Sequence, residues 1–343
     1  MKKIGIIGHF SDSLDGQTIK TKIYTSELKN IYSEEEVYFL NLHELKERKF
    51  YFISEIRKIM SLCSNIIIFP AHNAIRVLGP LLALLNIFFK RRLHYVVIGG
   101  WLPQFLSTRK WLFKSLLKFD HIYVETTTLK SKLDKMGFSS VVVVPNCKEL
   151  HILSDKELKT SFAEPLPLCT LSRVNFKKGI EDAINVVSDI NAQYGRTVFK
   201  LDIYGTIAND YSERFSSILK DAPAYIQYKG EVPFDKTVEV LKDYYALLFP
   251  THYYTEGIPG TIIDSFAAGV PVISAKWESF SDVVDDNEVG IGYAFDKYQD
   301  LKNKLLYFVT NPNVLVDMRR KCLQRAKSFS TRVVIDKFII FLK

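Results

Sequence analysis

Glu256 and Asp264 are two acids with seven residues between them, and the stretch they bracket is punctuated by Gly257, Pro259 and Gly260. A short apolar strand, Ala246 to Phe249, runs into Pro250 and a loop, and the glycines and proline break regular structure before a helix that begins near Gly260. Glu256 then sits in the loop and Asp264 about one turn inside the helix. The backbone amides around Gly257 to Thr261, a segment that includes Ile258, lack partners within the helix and lie at the positive end of its dipole, which suits a phosphate. Carboxylates take hydroxyls, so two acids beside such amides suit a ligand with several hydroxyls and a diphosphate. Earlier in the same half, Ser172 to Gly179 carries Arg173 and Lys178 after another short apolar strand. A guanidinium fork and a movable ammonium neutralise a pyrophosphate better together than either does alone. Taken singly, each segment also fits a blander reading: a strand, turn and helix with solvated acids, or a surface loop with basic residues.

The elements that position these residues alternate along the whole chain. Strands are expected at Lys3 to Ile7, Glu36 to Leu40, Asn65 to Phe69, Leu93 to Ile98, His121 to Val124 and Val141 to Val144, with helical stretches between them. Continuous apolar runs separated by helices predict a parallel sheet covered on both faces. Polar residues fill Lys148 to Glu164, and Pro165 and Pro167 bracket a new strand, so the expected domains are 1–164 and 165–330, followed by a last helix in 331–343. In the second half, strands are expected at Leu168 to Leu171, Val198 to Tyr204, Tyr225 to Lys229, Ala246 to Phe249 and Val270 to Ala275. Helices are expected at Ile180 to Tyr194, Tyr211 to Lys220, Pro233 to Tyr244, Gln299 to Val309, Asn313 to Phe329 and Val333 to Leu342. The loop after the first strand, Gly8 to Gly16, is not G-x-G-x-x-G, so a redox dinucleotide is not indicated.

The 251–275 stretch resembles the E-x7-E signature of family 4 glycosyltransferases of GT-B fold, with Asp264 in place of the usual second Glu and one methylene shorter. Ser172 to Gly179 resembles the same family's Arg-x4-Lys-Gly segment. The resemblance implies an α/β protein of two Rossmann-like domains with parallel sheets facing across a cleft. It implies that Glu256 and the amides of Gly257 to Thr261 hold the donor sugar, that Asp264 holds the ribose, and that Arg173 and Lys178 grip the diphosphate. Gly16 in the first loop would lie beside the donor phosphates, and the last helix would cross back to the first domain. Transfer with retention at the anomeric carbon and no metal or other cofactor is the chemistry implied. Many family members carry a His after the fourth strand, whereas here Ile98 is followed by Gly99-Gly100-Trp101. His9, in the glycine loop, is the first candidate for that place, then His72, then Glu125.

At 343 residues, 47% apolar and 24% charged, the chain reads as a soluble, two-domain α/β protein. No signal peptide is visible, the longest apolar run (Val77 to Phe89, with Gly79, Pro80 and Asn86) is too short to span a bilayer, and Cys63, Cys147, Cys169 and Cys322 show no metal or disulfide spacing. A cytoplasmic protein is expected. The net charge of +8 is unevenly placed: residues 1–150 hold 22 Lys and Arg against 13 Asp and Glu, and between Arg57 and Phe119 ten basic residues stand with no acid. Within that span Ser107 to Phe119 reads as a helix with Leu112, Phe113, Leu116 and Leu117 on one face and Lys110, Lys114 and Lys118 on another, beside Trp111. With Phe88-Phe89-Lys90-Arg91-Arg92 it has the composition of an interfacial helix. The expected partners are therefore a nucleotide-sugar donor, a saccharide acceptor that is lipid-linked, and the anionic inner face of a membrane. A nucleic acid is not expected, since no RNA-module signature or interleaved aromatics are present. A GT-B sugar epimerase and a non-enzymatic nucleotide-binding protein remain as alternatives at this stage.

Overall fold

The computed structural model describes residues 3–10, 16–42 and 49–343, with side chains described for all of these but 49–51. The chain divides into two compact units, Met1–Lys148 with Thr331–Lys343, and Glu149–Ser330. The boundary thus falls earlier than residue 164. Residues 149–164 pack in unit 2, where Leu153 is buried and its amide donates to the Ala267 carbonyl at 3.0 Å.

Unit 1 runs β1 (Ile4–Gly8), α1 (Gly16–Tyr32), β2 (Val37–Asn41), α2 (Lys49–Leu62), β3 (Asn65–Ile68), α3 (His72–Phe89), β4 (Arg92–Val96), α4 (Leu102–Ser107), α5 (Lys110–Leu116), β5 (His121–Val124), α6 (Thr127–Lys135) and β6 (Val141–Val143). Unit 2 runs β7 (Leu166–Leu171), α7 (Ile180–Tyr194), β8 (Phe199–Tyr204), α8 (Ser212–Lys220), β9 (Ile226–Gly230), α9 (Thr237–Leu241), β10 (Ala246–Phe249), α10 (Gly260–Ala267), β11 (Val272–Ala275), α11 (Phe280–Val283), β12 (Gly290–Tyr293), α12 (Tyr298–Thr310) and α13 (Asn313–Ala326). The last helix, α14 (Thr331–Ile339), belongs to unit 1.

Each unit holds a six-stranded, wholly parallel sheet. Strand order is β2-β1-β3-β4-β5-β6 in unit 1 and β12-β11-β10-β7-β8-β9 in unit 2. Strands β1, β3, β10, β11 and β12 are buried at every position, as expected of apolar runs covered by helices on both faces. In such open sheets ligands gather outside the carboxyl ends of the strands, where the winding reverses. That point lies between β1 and β3 in unit 1 and between β7 and β10 in unit 2.

One face of the unit 1 sheet is covered by α1 and α14. Phe338 lies edge-on to Tyr24 at 5.0 Å and to Tyr123 at 4.6 Å, Asn65 Nδ2 donates to the Leu342 carbonyl at 3.1 Å, and the Thr331 amide donates to the Lys148 carbonyl at 3.2 Å. Two buried polar groups stay inside this unit. Lys20 on α1 meets Glu125 after β5 at 2.8 Å, with 2% and 3% of their side chains exposed. His94 on β4 contacts Tyr123 Oη and Asn65 Oδ1, both at 3.0 Å, and burial, aided by His121 and Arg92 nearby, lowers its pKa to about 3.

Several elements differ from the sequence expectation, and strand β12 has no counterpart in it. The helix expected over Pro233 to Tyr244 is only α9, preceded by a 3-10 turn at Phe234–Lys236, because Tyr244 leaves the helix to donate its hydroxyl to Asp202 at 2.7 Å. The apolar run expected to begin at Val77 extends back to His72, with Pro80 inside it. Proline removes one backbone hydrogen bond there, but Ile75, Leu78, Leu82 and Ala83 are buried in the unit 1 core and hold the helix. Among the described residues α3 is the one helix long and apolar enough to cross a membrane by length and composition. Finally, the apolar face of α5 is not free: Leu112 and Leu116 are buried in the same core, packed over Gly79 of α3.

Candidate functional site

The reversal point of unit 2 brings together the loops after β7 and β10, which are the two segments singled out from the sequence. After β7, Ser172 and Val174 extend the sheet, their amides donating to the carbonyls of Tyr204 at 3.1 Å and Thr206 at 2.9 Å. Asn175 Oδ1 then caps a single 3-10 turn, Phe176–Lys178, by accepting the Lys178 amide at 2.9 Å. Gly179 follows at φ 69°, in the left-handed region, and a Cβ there would lie 1.8 Å from the Pro250 carbonyl oxygen. Only glycine lets the first loop come this close to the end of β10.

The second loop is held to the first at several points. Lys178 Nζ pairs with Glu256 Oε1, and the Thr251 hydroxyl donates to the same oxygen at 3.2 Å. The Lys178 ammonium also lies over the rings of Tyr253, at 5.0 Å, and Phe249, at 5.4 Å. The pair is partly open, with 20% and 16% of the two side chains exposed. Arg173 is exposed and its guanidinium makes no ion pair among the described residues. Asp264, one turn into α10, is buried at 3%. Helix α10 starts after Pro259 with no side-chain cap, and the Thr261 hydroxyl in its first turn is buried without a hydrogen-bond partner. An orphaned donor beside uncapped amides is a place where an anionic oxygen would be accepted.

The structure therefore brings Lys178 and Glu256 into contact at the mouth of the sheet. Gly257, Ile258, Pro259 and Gly260 lead from that contact into the helix, with Ile258 buried beneath them. His9 and Gly16 belong to unit 1, at the end of β1 and the start of α1, and residues 11–15 between them lie outside the described residues. His72 follows β3 and stacks on Trp101 at 3.8 Å, with Phe105 edge-on at 5.2 Å; burial and then Arg109 lower its pKa. Glu125 is closed off in its pair with Lys20, so it is not an open proton acceptor. Among the described residues no group of three or more His, Cys, Asp and Glu is arranged to hold a metal ion.

Two residues that sequence reasoning passed over shape the site. His252 donates its amide to the Lys177 carbonyl at 2.8 Å, stacks on Phe176, and sets its ring between Asp296 Oδ1 at 2.6 Å and Asp182 Oδ2 at 3.3 Å. It fastens both loops to α7 and to the loop after β12. Gly205, at the end of β8, has φ 128°, and a Cβ would stand 1.9 Å from the Ser172 carbonyl oxygen, so it sets how closely β8 approaches the Arg173 loop. The signal for His252 was its place next to Pro250-Thr251; its acidic partners are distant in sequence.

Residues 155–329 match the family of glycosyl transferases, group 1. Among curated proteins the chain is 21% identical over 255 residues to the alpha-galactosylglucosyldiacylglycerol synthase of Streptococcus pneumoniae, covering 70% of this chain and 66% of that protein. It is 23% identical over 181 residues to an uncharacterised glycosyltransferase of Methanocaldococcus jannaschii, covering 51% of this chain and 43% of the relative. The chain thus matches between 43% and 66% of the length of these relatives. Of solved structures, Anabaena HepE in complex with UDP superposes with a TM-score of 0.76 at 12% identity, covering 100% of this chain and 99% of that one. Sucrose-phosphate synthase from Thermosynechococcus elongatus superposes with a TM-score of 0.77 at 12% identity, covering 100% and 98%. Two six-stranded parallel sheets flanked by helices are the two-domain α/β architecture of these GT-B neighbours.

Proposed function

This chain belongs to the group 1 glycosyl transferases, and from that membership we propose that it moves a sugar from a nucleotide-sugar donor to a saccharide acceptor, with retention at the anomeric carbon. The observation that carries the reading is the Lys178–Glu256 pair, an open cation and an open acid held together where the unit 2 sheet reverses its winding. A diphosphate beside Lys178 Nζ, with Arg173 folding over it and the start of α10 beneath, meets three sources of positive potential without a metal ion. Glu256 then accepts hydrogen bonds from the donor sugar, and Asp264 serves the ribose. In the reaction the bond from the anomeric carbon to the diphosphate breaks and its electron pair goes to the phosphate oxygen. The acceptor hydroxyl oxygen bonds the same carbon, and its proton leaves with the diphosphate.

The name of the pneumococcal relative, a glycosyl diacylglycerol synthase, supports an acceptor carried on lipid, in glycolipid or surface-polysaccharide assembly at the cytoplasmic face of a membrane. The complex of HepE with UDP makes uridine diphosphate sugars the first donors to try. The test is release of nucleoside diphosphate from a panel of nucleotide sugars, with and without glycosyl diacylglycerol. Release that needs the acceptor supports transfer. Release or sugar isomerisation at equal rate without it would place the chain among epimerases or hydrolases, and no thermal shift with any nucleotide would remove the donor site.

A further inference from the structure

We propose that the outer side of α3, flanked by the basic side of α5, is a docking surface that lies flat in the headgroup layer of an anionic bilayer. The inference deepens the membrane-bound acceptor reading above and rests on it, but it moves the apolar contact from the 107–119 segment onto α3, of which the sequence pointed only to the end at Phe88-Phe89. Helix α3 opens on the polar residues His72, Asn73 and Arg76, but from Val77 to Phe89 it is apolar on every side except at Asn86. One stripe, with Ile75, Leu78 and Leu82, is buried in the unit 1 core. The opposite stripe leaves Val77, Leu84 and Phe88 exposed at 68%, 59% and 79%. Spacings of seven and four residues put these three on one line about 16 Å long. A solvated helix carries polar residues on that side, so this one presents its apolar ridge outward, with nothing over it among the described residues of unit 1.

Charge selects the occupant. Helix α5 packs against α3 through Leu112 and Leu116, which turns Lys110, Trp111, Lys114 and Lys118 outward, with Trp111 76% exposed. The sequence from Arg57 to Phe119 that builds both helices has no acid at all. An apolar ridge with an interfacial tryptophan and a rim of one sign fits lipid tails below anionic phosphates. A second copy of the chain would set lysines against lysines.

The test is flotation of the full chain with vesicles of phosphatidylcholine alone or with one third phosphatidylglycerol, without donor or acceptor. Binding is expected to the anionic vesicles only, to fall steeply as salt rises, and to bring a blue shift of tryptophan emission that Trp111→Phe abolishes. The pair Leu84→Ser and Phe88→Ser, both exposed and so compatible with folding, is expected to weaken binding about tenfold. Lys110→Glu, Lys114→Glu and Lys118→Glu together are expected to weaken it about a hundredfold or more. Equal binding to both vesicle types, no loss in the Ser pair, or a dimer that the Ser pair dissociates would overturn the proposal. Acceptor-dependent transfer measured in parallel separates the two readings. Vesicle binding without transfer leaves the surface and removes the enzyme reading, whereas transfer without vesicle binding does the reverse.

Discussion

Each unit contains a lysine–glutamate pair near the carboxyl ends of its strands, and the two pairs differ in one respect, access to water. Lys20 and Glu125 are closed at 2% and 3% exposure, between α1 and the end of β5. Lys178 and Glu256 stand open at 20% and 16%, between the loops after β7 and β10. A closed pair has given up its hydration and is shut off from an incoming ligand, so its part is to hold elements together. An open pair keeps partial hydration, and either member can turn to an incoming ligand. The same two side chains thus serve architecture in unit 1 and are available for binding in unit 2.

Removing one member of the closed pair gives the largest expected effect. Lys20→Met or Glu125→Leu alone should lower stability by about 3 to 5 kcal/mol in urea unfolding, while the double substitution recovers most of the loss. A single variant as stable as wild type would put the two pairs in one class. Next in size, Lys178→Ala and Glu256→Gln should each cost about 2.7 to 4 kcal/mol of transition-state stabilisation in kcat while moving the unfolding midpoint little, because the pair is partly solvated. A large stability loss with intact turnover would reverse the comparison.

Acid should act on the closed unit first. His94 ionises near 3 when folded and at about 6.5 when unfolded, so below pH 6.5 the unfolded chain takes up a proton that the native one refuses. Stability is full above that pH and falls as pH drops, by about 2 kcal/mol at pH 5. His94→Gln should flatten that dependence, and an unchanged slope would assign it elsewhere. The smallest effect sharpens the open site. His252→Ala should raise the donor KM several-fold, about 1 kcal/mol, with kcat changed less, since it fastens loops without touching the reacting centre, and His252→Asn should restore part of it. A fall in kcat alone would make His252 a participant.

The open site was legible because its parts are local in sequence. Glycine, proline and charge punctuate 172–179 and 250–264, and apolar runs mark the strands on either side. What could not be read depends on partners far along the chain. Glu125 looked available because Lys20 lies 105 residues away. Gly205 drew no notice because the carbonyl it must clear belongs to Ser172, 33 residues earlier. The period of α5 showed an apolar side but not its neighbour, and the α3 surface that packs against it decides that Leu112 faces protein while Trp111 faces outward.

The return of α14 to unit 1 makes unit 2 an insertion within it, and this has a consequence for the order in which the protein is made. Residues 1–148 are synthesised first, yet the cluster of Tyr24 on α1, Phe69 after β3 and Tyr123 on β5 waits for Phe338 and Leu342 to cover it. At roughly 5 to 20 residues per second, the ribosome delivers that cover some 10 to 40 s later. Unit 2, whose residues are consecutive, can close on itself in the interval. The half that emerges first is therefore completed last, and while it waits it is the half a chaperone would hold.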